Sequence, residues 1–348
     1  MRAGIFAALG AALLFGAGAP LAKWLLGSTG AWTLAGLFYL GSGLGLWLVR
    51  RASRAPAVRL ARDELRWLAG AIACGGVAGP VLLMQGLTAM PASGASLLLN
   101  AEGVFTALLA WWVFRENFDR RIAAGLAAIA AGALLLSWPA QGQADFAGLW
   151  PALAIVGACL CWGIDNNLTR KVALGDASWI ACVKGLCAGA VNLALAMLLG
   201  EPMPGVPTLG LAMLVGFFAY GVSLALFVVG LRHLGAARTG AYFSVAPFFG
   251  ALLALLGGEP LTPTLALAGA LMALGVWLHL TEHHTHAHVH EPLEHEHAHT
   301  HDAHHQHEHP WAPGLTLAPG EQHTHAHRHA LLAHVHAHFP DAHHQHSH

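Results

Sequence analysis

Four ionisable side chains fall inside apolar stretches of this sequence: Lys23, Glu102, Asp165 and Lys184. A charge in hydrocarbon is costly unless it is paired or hydrated, so each one is a candidate for binding or moving a polar solute. Two are positive and two negative, so the set can neutralise itself. Asn100 and Asn166 put amides beside the acids. The candidate substrate-binding set is therefore Lys23, Asn100, Glu102, Asp165, Asn166 and Lys184. Glu102 stands ten residues into its apolar stretch, roughly 15 Å deep at helical rise, too far in to reach water along its own stem. A carboxyl there either hydrogen-bonds in place or carries a proton across. Lys23, next to Trp24, has a second reading, with its stem lying along lipid and its ammonium at the interface. Asp165 and Lys184 have a second reading as a plain ion pair. Asn167, Gln85 and Asn192 are further polar groups that also suit helix–helix glue.

A second kind of chemistry is concentrated at the C-terminal end. Residues 281–348 hold 24 of the 26 histidines. "THAHVHEPLEHEHAHTHDAHHQHEH" (285–309) aligns without gaps to "THAHRHALLAHVHAHFPDAHHQHSH" (324–348), across a Pro/Gly linker, "PWAPGLTLAPGEQ". Imidazole nitrogens bind Zn, Ni, Co and Cu ions. In an extended chain the two rings of His-x-His share a side and can reach one ion. The first copy offers His286, His288, His290, His295, His297, His299, His301, His304, His305, His307 and His309. The second offers His325, His327, His329, His334, His336, His338, His343, His344, His346 and His348. No fixed four-ligand spacing is present, so many overlapping weak sites are expected instead of one structural zinc. The segment has too little apolar surface to build a core, and disorder without a ligand is expected.

The elements that must position the first set are membrane helices. Apolar types make up 56% of the 348 residues and charged types 10%, far below the roughly 25% charged of an ordinary soluble domain. The formal net charge of −1 gives no case for nucleic acid. Ten stretches are long enough to span a bilayer: 3–25, 31–49, 66–88, 92–114, 121–138, 147–168, 178–199, 207–231, 237–257 and 262–280. The first is too long for a signal peptide, and nine more follow it. The five cysteines all lie in these stretches and suggest no disulfide framework. Gly41-xxx-Gly45 and Ala128-xxx-Gly132 read as packing faces.

Arg and Lys set the expected orientation. Arg2, the cluster from Arg50 to Arg66, Arg115, Arg120, Arg121, Arg170, Lys171, Arg232, Arg238 and Arg328 all share one side if the N-terminus is cytoplasmic. Both termini are then cytoplasmic, in a bacterial inner membrane.

The chain also repeats. "QGLTAMPASGASLLLNAEGVFTALLAWWVFRE" and "VGLRHLGAARTGAYFSVAPFFGALLALLGGE" share Gly-Leu, Phe and Ala-Leu-Leu-Ala at matching places and end on Glu116 and Glu259. Each Glu suits a helix N-terminus, where the dipole favours an anion. Five spans per repeat insert the second copy upside down, an arrangement of secondary transporters. With "FGAGAPLAKWLL", "LNAEGVFTALLAWWVFRENF", "CWGIDNNLTRK" and "APFFGALLALLGGEPLT", the region 3–280 resembles the EamA branch of the drug/metabolite transporter superfamily. That resemblance implies a carrier, often an exporter, of small metabolites and not an enzyme.

The expected fold is all-α and membrane-integral. It comprises two inverted five-helix repeats, 1–138 and 146–280, and a His-rich cytoplasmic tail, 281–348. The expected partners are a small-molecule substrate and the lipid bilayer, with a homodimer left open. Transport itself needs no cofactor. Two other readings stand beside metabolite transport: export of a divalent transition metal gathered by the tail, and a membrane-anchored metal buffer or sensor. The in-span lysines would repel a metal ion, and an anchor has no need of in-span charges.

Overall fold

The computed structural model describes residues 2–55, 58, 62–114, 120–138, 146–169, 176–234, 236–280, 285–290, 294–299, 323–328 and 332–337. The chain divides into two units, Met1–Glu282 and His283–His348.

The first unit is helical: α1 (Arg2–Leu25), α2 (Ala31–Ala52), α3 (Arg62–Ala71), α4 (Gly79–Ala89), α5 (Ala92–Leu98), α6 (Ala101–Phe114), α7 (Arg120–Ser137), α8 (Phe146–Thr169), α9 (Ala177–Leu198), α10 (Val206–Gly216), α11 (Ser223–Leu234), α12 (Ala236–Phe243), α13 (Ala246–Leu256) and α14 (Pro263–Leu280). Among the described residues seven helices are long and apolar enough to cross a membrane. Ala123–Ser137, Ala246–Leu256 and Pro263–Leu278 are apolar but shorter. Small residues fill much of the interior, with Ala8, Ala11, Ala12, Ala22 and Ala35 fully buried. Bulky apolar ones face outward, including Trp112 at 79% and Leu198 at 83% exposure. That distribution suits helices packed in lipid, where close backbone approach holds the bundle together.

The strongest packing joins α2 to α9, α7 to α14, α1 to α11 and α13, and α8 to α4 and α6. Between α2 and α9 a Cβ on Gly185 would fall 2.7 Å from Gly43 Cα, so only hydrogen on both allows the approach. The two predicted packing faces hold. Gly41 and Gly45 lie against Met213 and Phe217, and Gly132 lies against Met272 and Ala268.

Four of the apolar stretches are not plain α-helix. A π-helical segment, Ile72–Ala78, joins α3 to α4, and another, Phe217–Val222, joins α10 to α11. Breaks at Leu99–Asn100 and Ser244–Val245 divide α5 from α6 and α12 from α13. The features occupy matching places in the two halves of the unit. Their local causes can be read. Pro80 has no N–H for the Gly76 carbonyl, and Gly79 N–H bonds back to Cys74 O. The widened turn leaves carbonyls open to side chains. Pro247 near the start of α13 likewise lacks the N–H that would continue α12.

The described residues of the second unit are short strands. The unit contains β1 (Thr285–His290), β2 (Glu294–His299), β3 (His323–Arg328) and β4 (Leu332–Ala337). β1 pairs antiparallel with β4, and β2 with β3. The reason is period: His-x-His with Thr, Val and Ala between is a strict alternation, which a strand accommodates. Each ladder joins one copy of the duplication to the other.

Candidate functional site

Four of the six predicted site residues come together where the first half meets the second. The break after Leu99 places Glu102 in the first turn of α6. Asn166, on α8, donates its amide Nδ2 to Glu102 Oε1 at 2.9 Å and to Thr106 Oγ1 at 3.2 Å. Its neighbour Asn167 donates to Thr106 O at 3.2 Å and to Gly163 O at 2.8 Å. Two adjacent amides thus stitch α8 to α6 around one threonine. Glu102 is half-buried and Asn166 exposed, while a Cβ on neighbouring Gly103 would meet nothing within 4 Å.

Asp165 precedes these amides on α8 and turns to the opposite partner. Lys184 Nζ on α9 lies 2.6 Å from both of its oxygens. Thr169, one turn further along, donates to Asp165 Oδ1 at 2.9 Å. The pair is largely enclosed, with 17% and 9% of the lysine and aspartate side chains exposed. Such a pair loses solvation on both sides, and removing one partner leaves an uncompensated charge. Asp165 lies against Gly75 of the π-helical segment, where any Cβ would fall 1.9 Å from Oδ2. The carbonyls freed there are taken by side chains. Gly75 O accepts from Tyr39 OH at 2.7 Å and Trp162 Nε1 at 2.9 Å, and Gly76 O accepts from Asn192 Nδ2 at 3.0 Å.

The other two predicted residues stand outside this group. Asn100 is buried and donates to Leu97 O at 2.8 Å and to Met272 Sδ, so its amide fixes the helix break. Lys23 neither joins the acids by a hydrogen bond nor reaches away from the bundle. Its Nζ lies 2.5 Å from Leu87 O and 3.2 Å from Thr88 O, in the last turn of α4. A cation there answers carbonyls that have no helical donor. The sequence-level balance of two charges against two therefore does not hold at the centre, where one lysine faces two acids.

Thr106, Thr169, Asn167 and Gly75 belong to the site but not to the predicted set. The spacing of Thr169 from Asp165, one helical turn on α8, was a usable signal for that one. Gly75 had only its place in "CGGVAGP" to mark it.

Acids at helix ends form a separate group. Glu259 accepts from Ala92 N and Ser93 N at 2.7 and 2.8 Å, which meets the expectation of a helix N-terminus and assigns it to α5. Glu201 does the same for α2, through Trp32 N, Thr33 N and Thr33 Oγ1. Glu116 lies outside the described residues. At the start of α9 Asp176 caps Ser178 N and Trp179 N and pairs with Arg50 at 2.5 Å. Partial burial works to raise its pKa. Hydrogen bonds from Arg50, Ser178 and Trp179, and the Arg50 charge, outweigh that and hold it below the usual carboxylate range.

Among the described residues no group of three or more His, Cys, Asp and Glu side chains is disposed to hold a metal ion. In the second unit His286 and His288 stand opposite His336 and His334 in register, and His290 opposite Leu332. His295, His297 and His299 stand opposite His327, His325 and His323. His301, His304, His305, His307, His309, His329, His338, His343, His344, His346 and His348 lie outside the described residues.

Known proteins bear on this arrangement. An uncharacterized transporter of Methanothermobacter thermautotrophicus is 28% identical over 297 residues, covering 79% of this chain and 85% of its own. One solved crystal structure superposes with a TM-score of 0.60 at 21% identity, covering 79% of this chain and 95% of that one, and so shares its fold. The model of the EamA-like transporter family matches residues 2–138 and 149–281, one block in each half. A multi-pass helical unit with charges held inside it, matched twice by that family, makes the chain a transporter and not an enzyme, and it belongs to the EamA-like transporter family.

Proposed function

We propose that the chain is a secondary transporter that exports a small metabolite across a bacterial inner membrane. Its ten spans form two inverted five-helix repeats, and both termini are cytoplasmic. The observation that carries this reading is the origin of the site. Glu102, Thr106 and Gly75 come from the first half, and Asp165, Asn166 and Lys184 from the second. A site built across a repeat interface is remade when the halves rock, which is what alternating access requires. Glu102 is the group through which a proton couples to transport. The Arg/Lys bias supports the orientation, and matching π-helical segments and breaks in the two halves support the inversion.

The tail is an accessory that binds divalent transition metals, Zn, Ni, Co or Cu. Support comes from the register, since residues opposite one another in an antiparallel pair share a face, and so do alternate residues along a strand. Histidines of the two copies thus stand opposite one another in register in each ladder. Metal affinity should fall below about pH 6 as the imidazoles protonate.

The test is solute counterflow in proteoliposomes with amino acids, nucleosides, amines and metal ions. An organic solute should exchange, and Glu102→Gln should abolish that exchange or its pH dependence. Exchange of no organic solute at any pH would contradict the reading.

A further inference from the structure

The acids of the helical unit are not used alike. Asp165 is matched by Lys184, Asp176 by Arg50, and Glu201 and Glu259 by helix N-termini. Glu102 differs: among the described residues its carboxylate meets an amide, Asn166, and no cation. It lies in the first turn of α6, whose field favours the ionised form but supplies no counter-charge. Lys23, which could have neutralised it, is committed to α4 carbonyls. Among the described residues the centre therefore holds two acids and one lysine.

A second observation asks for the same kind of ligand. Asn167 is 95% buried, and its Oδ1 has no hydrogen-bond partner. Its amide nitrogen binds the Thr106 carbonyl, and Thr106 Oγ1 accepts from Asn166, the residue that holds Glu102. Among the described residues the group thus offers a buried acceptor without a donor, close to a carboxylate with no hydrogen-bonded cation. A buried acceptor left unmade costs far more than a satisfied one gains. An anion would be repelled by Glu102 and would leave Asn167 Oδ1 without a donor. A ligand with a positive charge and N–H donors would satisfy both.

We infer that Glu102, with Thr106, Asn166 and Asn167, is a site for one positive charge, held alternately by a proton and by the ammonium or amidinium group of the transported solute. The proposal rests on the transporter reading and narrows it to amine-bearing solutes, exchanged one proton for one charge. Asp165 and Lys184 remain paired throughout. The other titratable groups that act on Glu102 or feel its charge are Cys159 on α8 and Tyr39 on α2. Cys159 and Tyr39 are already engaged with Leu98 O and Gly75 O.

The test uses the full chain in nanodiscs and dicyclohexylcarbodiimide, which attacks protonated carboxyls in apolar surroundings, with labelling of the Glu102 peptide read by mass spectrometry. Labelling should fall about tenfold per pH unit above the pKa of the group. At fixed pH, benzylammonium, methylammonium or benzamidinium should suppress labelling at least about fivefold, while benzoate and benzyl alcohol leave it within about twofold, as a charge-selective site requires. Asn167→Ala should keep the labelling and weaken the protection. Glu102→Gln should lose the label while retaining the wild-type melting temperature within a few degrees. Labelling that ignores pH, protection by benzoate, or protection by none of the three cations would overturn the inference. If solutes still exchange under any of those results, the transporter reading survives and this inference alone fails. If nothing exchanges but cations still protect Glu102, the opposite holds.

Discussion

The two halves of the helical unit share a scaffold and differ in chemistry. Each has a π-helical segment in its third helical rod and a break in its fourth. The first break is followed by Asn100 and Glu102; the second is followed by Ala246, Pro247 and two phenylalanines. On α8 Asp165 is buried at the centre, whereas Lys23 on α1 serves a helix end. The comparison teaches that the two halves share π-helical segments and breaks but place their charges differently along them.

The largest expected effect comes from making the two breaks alike. Glu102→Gln keeps shape and hydrogen bonding but removes the titratable proton. Coupled exchange should fall about a hundredfold or more, the order of loss when an acid–base group is removed. Proteoliposome flux under an imposed pH gradient measures it, and wild-type flux would place the coupling elsewhere.

Next comes the buried ion pair within the second half. Lys184→Ala strands the buried Asp165 and should cost about 3 kcal/mol of stability. Adding Asp165→Asn should restore part of that loss. Chemical unfolding in detergent reads both, and a double variant no better than the single would deny the pairing. A smaller effect is expected where the scaffold is alike. Glu259→Gln and Glu201→Gln each weaken the cap of a first-half helix, α5 or α2, and each should cost about 1 kcal/mol. Equal losses would sharpen the comparison; a loss confined to one would break it.

The smallest change in stability is set by pH at the α9 end. The folded pKa of Asp176 is held low, so its contribution is present above the unfolded value, near 3.9. It is lost as pH falls through the depressed value. The melting temperature of Arg50→Gln should therefore approach that of the wild type as the pH drops below about 4. A gap that stays constant between pH 6 and 3 would contradict this assignment.

Much of this was legible in the sequence because membrane helices are written in one dimension. Apolar length marked ten stretches, of which seven are helices long enough to span among the described residues, and isolated charges marked Glu102, Asp165 and Lys184. The Asp165–Lys184 pair followed from sign and proximity on consecutive helices. The role of Lys23 did not, because its partners are backbone carbonyls 64 and 65 residues away that carry no sequence signature. The same is true of Glu201, whose work is done on a helix 168 residues away. Breaks and π-helical turns were hidden for a related reason. They depend on where a missing N–H or a freed carbonyl finds a tertiary partner, as Gly76 O finds Asn192. In the tail, composition speaks for disorder while the alternation of His with small residues suits a strand.

One measurement bears most directly on the central claim, that transport belongs to the helical unit and the tail is accessory. Solute flux in proteoliposomes should be compared between the full chain and a chain lacking residues 283–348, using the same panel of amines, amino acids, nucleosides and metal ions. The account predicts that an organic solute moves at the same rate, within about twofold, with and without the tail, as expected for a segment with no contribution to the transition state. Movement of metal ions alone, abolished by removing the tail, would contradict it.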